Sequence, residues 1–156
     1  MKLYESIQNI IKFADTKINV LSVINGIATS YILTNFQLIY SINIYSKLLL
    51  ALYFIMFIVF IYYLLNTILP RIKSISGNKI SRAVYFGHIS ERKEVQEFVN
   101  DFKKLNDEEF LEDLLTQIYE SSKIATTKFS YYKKSLITLQ VQFSLFFILL
   151  ALKSFT

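Results

Sequence analysis

Three apolar stretches and one polar stretch alternate along the chain. The most uniform is LLLALYFIMFIVFIYYLL, eighteen consecutive apolar or aromatic residues from Leu48 to Leu65, bracketed by Lys47 and Arg71. A helix rising ~1.5 Å per residue needs roughly 20 such residues to cross a hydrocarbon core of ~30 Å, so this stretch predicts a membrane span. Pro70 predicts its end, because proline disfavours helical geometry at the residue before it. A core helix of a soluble protein fits less well, since a domain this small has no interior able to wrap an all-round apolar helix.

The first stretch is less uniform. After Lys17 no charged residue or histidine occurs until Lys47, yet FADTKINVLSVINGIATS, Phe13 to Ser30, carries polar residues inside its apolar part. Asn19, Ser22, Asn25, Gly26, Thr29 and Ser30 recur every three or four residues. On a helix they form one small-residue polar stripe against Ile18, Val20, Leu21, Ile24 and Ile27. Such a stripe is expected to face protein or water, and simple helix–helix packing is its plainest use. Upstream, Tyr4, Ile7, Ile10, Ile11 and Ala14 are spaced as an amphipathic helical face. A secretory leader is disfavoured by the charged lead with Glu5 and Asp15 and by the length of the apolar part. NFQLIYSINIYSK, residues 35–47, is expected to be a polar turn, with Tyr40 and Tyr45 at the headgroup level.

The third apolar stretch, SLITLQVQFSLFFILLAL from Ser135 to Leu152, is interrupted by Thr138, Gln140, Gln142 and Ser144, which should turn toward protein. Between it and Pro70 lies the polar region. Turns are expected at Ser76, Gly77 and Asn78 and again at Gly87. Val95, Phe98, Val99 and Phe102 then predict a short amphipathic helix with Ser90 as its N-cap. Asn106 is expected to cap a further helix whose first turn, Asp107, Glu108 and Glu109, complements the helix dipole. No Gly or Pro follows, so one helix from Asp107 to Leu152 would measure about 70 Å. The expected fold is an all-α membrane protein of a single domain, 1–156. Its three transmembrane helices cover about 18–40, 47–69 and 135–153, and a helical cytoplasmic module covers 70–134, its last helix continuous with the third span.

Composition supports that class: 53% of residues are hydrophobic and 19% charged, well on the apolar side of soluble domains. There is no Cys, one Pro and three Gly, which favours long helices and removes thiol chemistry and cysteine-ligated metals. The abundance of Ile, Lys, Asn, Tyr and Phe fits an AT-rich coding bias, so β-branched content is weak evidence for strands here. Twelve of the seventeen Lys and Arg fall between Pro70 and Ser135, three before the first span and one in each remaining segment. The positive-inside rule then puts the N-terminus and residues 70–134 in the cytoplasm and the C-terminus on the other side of the membrane. Ten of the twelve acids share that region, so its balance is near neutral and no nucleic-acid partner is expected. An enzyme is not expected either. No phosphate-cradling glycine loop is present, the single His88 has no marked nucleophile, and the acids from Asp107 to Asp113 suit a helix N-terminus without a metal.

Three segments carry a family resemblance: FADTKINVLSVINGI at Phe13 to Ile27; LPRI at Leu69 to Ile72 with AVYFGHIS at Ala83 to Ser90; and LLTQIYESSKIATTKFSYYKKSL at Leu114 to Leu136. In their order and three-span layout they resemble the membrane effectors of Pycsar antiphage defence systems. The resemblance implies a companion cyclase that makes a cyclic pyrimidine mononucleotide, and an effector that senses it and impairs the bacterial inner membrane. Three helices leave little room for an aqueous path inside one chain, so a homo-oligomer is expected. No cofactor is implied. Residues 71 to 134 are too few for a β-roll nucleotide domain, so a nucleotide would sit between helices or subunits. Arg71, Arg82, His88, Gln117, Lys123, Lys128 and Tyr132 are the candidate contacts, cations and amide for a phosphate and an aromatic for a base. Each also has an ordinary role, as membrane anchor, solvated face, interface ring or helix bridge. The competing functional reading is a small structural or regulatory membrane protein, an accessory of a channel or transporter, that binds no nucleotide.

Overall fold

A computed structural model of the chain describes residues 2–69 and 93–154. Among these residues there are five helices and no strand: α1 Lys2–Thr34, α2 Phe36–Ile42, α3 Ile44–Ile68, α4 Val95–Lys104 and α5 Asp107–Ser154. The expected turns at Ser76–Asn78 and Gly87, like Pro70, lie outside the described residues. Leu69, just before that proline, is extended at φ −61° and ψ 123°, as a pre-proline residue should be. Two compact units are present, one of Met1–Asn9 with Arg71–Ala125 and one of Ile10–Pro70 with Thr126–Thr156.

In the larger unit, helices α1, α3 and α5 pack along seams with alternating steps of four and three. On α1 the seam is Ala14, Ile18, Asn25, Ala28 and Ile32; on α3 it is Ser46, Leu50, Tyr53, Phe60, Leu64 and Thr67; on α5 it is Ser135, Leu139, Gln142 and Leu149. That 3.5-residue repeat is the packing period of coiled coils. Two apolar clusters lie along these seams. Ile18, Phe60, Leu64 and Leu139 form one. Ile32, Ile39, Leu50, Tyr53, Leu145 and Leu149 form the other. Numbers rise from the first cluster to the second along α1 and α5 and fall along α3. The first and third of these helices are therefore parallel, with α3 antiparallel between them in sequence.

Two helices, α3 and α5, are long and apolar enough to cross a membrane, and the expected three are not met by that measure. α1 falls short because polar Asn19, Ser22, Asn25, Thr29 and Ser30 interrupt its apolar part. In the apolar windows of α3 and α5 only 17% and 33% of residues are buried, unlike the mostly buried core helix of a soluble protein. Leu48, Leu52, Ile55, Ile58 and Leu65 make one outward apolar surface on α3. Val20, Val23, Ile24 and Ile27 make a comparable one on α1.

The segment expected as a turn, residues 35–47, is helical for most of its length. Phe36, Ile39 and Tyr40 recur at helical spacing and no breaker follows, so α2 forms and buries Ile39 in a core cluster. The chain bends only at Asn35 and at the extended Asn43. Asn43 closes a reciprocal cap on α3: the Ser46 backbone N–H donates to Asn43 Oδ1 at 2.8 Å, and the Asn43 N–H donates to Ser46 Oγ at 3.3 Å.

The smaller unit contains α4 and the N-terminal part of α5. α4 begins at Val95 with Glu94 in the cap position; Ser90, the expected cap, lies outside the described residues. Its Phe98 and Phe102 rings lie 6.0 Å apart, and Phe102 meets Phe110 of α5 at the same distance. The α5 cap is as the sequence predicts: the Glu109 N–H donates to Asn106 Oδ1 at 2.8 Å, and the Asn106 N–H donates to Glu109 Oε2 at 3.1 Å. α5 then runs unbroken for 48 residues.

Candidate functional site

Between the two apolar clusters the core turns polar. On α1, Asn25 sits midway between Ile18 and Ile32; on α5, Gln142 sits between Leu139 and Leu145; both are 1% exposed. Thr29, one turn beyond Asn25, donates its hydroxyl to Asn25 Oδ1 at 3.3 Å and lies 3.0 Å from the Tyr53 hydroxyl of α3. A threonine has one hydroxyl proton, so with it directed at Asn25 the Tyr53 O–H is the donor to Thr29. Three atoms are left over. Asn25 Nδ2 and Gln142 Nε2 and Oε1 are buried without a hydrogen-bond partner in the protein. Left without any partner, each such group would cost about 1–3 kcal/mol.

The polar stripe expected on α1 is thereby divided. Asn25 and Thr29 face the core; Ser22 is half-buried and returns its hydroxyl to the Ile18 carbonyl at 2.8 Å; Asn19, Gly26 and Ser30 lie on the exposed side. A Cβ added at Gly26 would meet no atom within 4 Å. The interruptions in the third apolar stretch divide the same way, Thr138 and Gln142 inward and Gln140 and Ser144 outward. The reason is helix geometry: at about 100° per residue the α1 stripe is roughly 140° wide, broader than the buried seam, and residues two apart on α5 fall on nearly opposite sides.

Above and below this layer, polar contacts join α1 to α5. Lys128 Nζ donates to Asp15 Oδ1 at 2.6 Å, with the lysine side chain 12% and the aspartate 40% exposed. At the other end Lys153 Nζ donates to Asn35 Oδ1 at 2.7 Å and to the Tyr31 hydroxyl at 3.4 Å. Asn35 continues the last turn of α1 through its N–H to the Tyr31 carbonyl. Asp15 and Asn35 are twenty positions apart, so the two ties are separated by about 30 Å, the thickness of a hydrocarbon core.

The candidate nucleotide contacts are spread over both units. Lys128 is committed to Asp15, and Tyr132 packs against the Ile18–Leu139 cluster with Phe129 5.8 Å from its ring. In the smaller unit Gln117 Nε2 donates to the Tyr4 hydroxyl at 3.4 Å. Lys123 there is exposed, 3.7 Å from Glu120 and 4.2 Å above the Tyr119 ring. Arg71, Arg82 and His88 lie outside the described residues. Among those described, no three His, Asp or Glu stand together as a metal site.

Residues that the sequence reading did not single out also belong here. Tyr53 is hidden in an all-apolar run, and Lys153 looks like a plain end-of-helix cation. The available signal was topological: Asp15 and Lys128, and likewise Asn35 and Lys153, stand at equivalent positions on two helices that run parallel.

Comparison with curated proteins and with solved structures returned no match. The Pycsar effector protein domain, by contrast, matches residues 1–154. That match takes in the polar layer, both α1–α5 ties and the polar region alike, and the chain belongs to the Pycsar effector protein domain family.

Proposed function

We propose that this protein is an inner-membrane effector of bacterial antiphage defence that senses a cyclic mononucleotide and impairs membrane integrity as a homo-oligomer. The observation that carries this reading is the family match over residues 1–154, which covers the apolar bundle and the polar region together. The outward apolar surfaces of α1, α3 and α5 support the membrane location, and the spacing of the two α1–α5 ties supports α1 as a third, protein-packed crossing. In this reading the N-terminus and residues 70–134 are cytoplasmic and the C-terminus is outside, following the distribution of Lys and Arg. The protein then acts by gating and catalyses no reaction.

The ligand is a cyclic pyrimidine mononucleotide. Its phosphate is drawn to cationic side chains, and Lys128 is the one whose capture has a structural consequence. To take Lys128, the phosphate displaces Asp15, which unties α1 from α5 at that end. Gln117, Lys123 and Tyr132, with Arg71, Arg82 and His88, are the remaining contacts to test. Asn19, Gly26, Ser30 and Gln140 stand on an otherwise apolar exterior and are the groups that a second copy would cover. Self-association matters because three helices leave little room for a path through one chain.

The test is to reconstitute the purified protein in liposomes and titrate cyclic pyrimidine and cyclic purine mononucleotides while recording binding and ion leak. Leak triggered by a cyclic pyrimidine mononucleotide is expected. Absence of both binding and triggered leak would overturn the proposal in favour of an accessory membrane protein.

A further inference from the structure

We infer that Asn25 and Gln142, with Thr29 and Tyr53, form an internal water-binding site in the middle of the membrane-packed bundle. The layer is walled on both sides by apolar clusters, that of Ile18, Phe60, Leu64 and Leu139 and that of Ile32, Leu50, Tyr53, Leu145 and Leu149. Its orphaned atoms are chemically mixed. Asn25 Nδ2 and Gln142 Nε2 are donors, and Gln142 Oε1 is an acceptor. A cation would satisfy only the acceptor and an anion only the donors. Water, with two donors and two acceptors, satisfies both kinds, and sites that hold it offer two to four polar partners. The Tyr53 hydroxyl, bonded to Thr29 of α1, extends the set to a third helix.

The site differs from the other polar groups along the same helices. Ser22, Thr138 and Ser144 return their hydroxyls to carbonyls of their own helix and need nothing further. Asn25 and Gln142 carry amides whose remaining donors and acceptor have no such outlet, and burial denies them the bulk solvent. The inference does not depend on nucleotide sensing or on leak.

The experiment uses the full chain in lipid vesicles and water-edited solid-state NMR, which records magnetisation passing from water to nearby protein protons. Transfer to the side-chain amides of Asn25 and Gln142 is expected, with none to the backbone amides of Leu139 and Leu145. In the near-isosteric variant Gln142→Met, transfer to the Tyr53 hydroxyl should be lost or sharply reduced; in Gln140→Met, altered on the exposed side of α5, it should be retained. Silence at both side-chain amides overturns the site. Equal transfer at Leu139 and Leu145 also overturns it, since it would mean a generally wet bundle with no specific layer.

Discussion

The hydroxyls of Thr29 and Tyr53 meet at 3.0 Å in the core, the one on α1 and the other on α3. This bond gives the apolar α3 its polar link to the layer of Asn25 and Gln142. Tyr53→Phe removes the Tyr53 donor while Thr29 keeps Asn25 as its acceptor. The loss should be about 1 kcal/mol, read as a lower melting temperature in detergent. An unchanged melting temperature would mean that another group replaces the phenol.

The ion pair of Asp15 and Lys128 should show energetic coupling. Because the carboxylate is 40% exposed, solvent screening reduces its contribution. A double-mutant cycle with Asp15→Asn and Lys128→Gln should return a coupling of about 1 kcal/mol, within the range between exposed pairs and buried charged hydrogen bonds. A coupling near zero would remove the pair as a tie between the helices.

Asn43 tests whether α3 depends on its cap. Asn43→Ala removes the acceptor for the Ser46 N–H and should cost about 1 kcal/mol, with Asn43→Gly costing less. Ser46 is fully buried, so its N–H cannot exchange the lost acceptor for bulk water, while its Oγ keeps its bonds to the backbone of residue 43. Thermal unfolding followed by circular dichroism measures both variants.

Lys123 gives a clean separation of ligand binding from folding. It is exposed, and its contacts with Glu120 and Tyr119 are surface contacts, so Lys123→Ala should change stability by no more than about 0.5 kcal/mol. If this variant also binds a cyclic mononucleotide as tightly as the parent, Lys123 is outside the ligand site.

Gln142→Met should raise the melting temperature, because it replaces two atoms that only trapped water can satisfy with an apolar chain of nearly the same volume. In the proposed effector the same change should diminish nucleotide-triggered leak in liposomes. A variant that is more stable and leaks as before would show that the polar layer takes no part in opening.

Much of this arrangement was written in local sequence. The length of α5 followed from the absence of Gly and Pro after Asn106, and its start followed from Asn106 and Glu109, which form the reciprocal cap. The membrane character of α3 followed from its unbroken apolar run. That same uniformity hid which side of α3 is buried, because no polar residue in Leu48–Leu65 marks a face. On α1 the polar residues suggested one stripe, but three of the six stand outside since packing follows the heptad seam from Ala14 to Ile32. The ties from Asp15 to Lys128 and from Asn35 to Lys153 span more than one hundred positions of chain. Only the parallel pairing of α1 with α5 brings their members together, and that pairing is a property of the fold.

The two ties fix α1 and α5 to each other like a string held at both ends. Sliding one helix along the other would strain both ties at once, whereas a twist or outward bow between them strains neither at first. Deformation is therefore easiest between the ties, in the stretch that holds Asn25 and Gln142. Releasing one end would turn a clamped beam into a cantilever about 30 Å long.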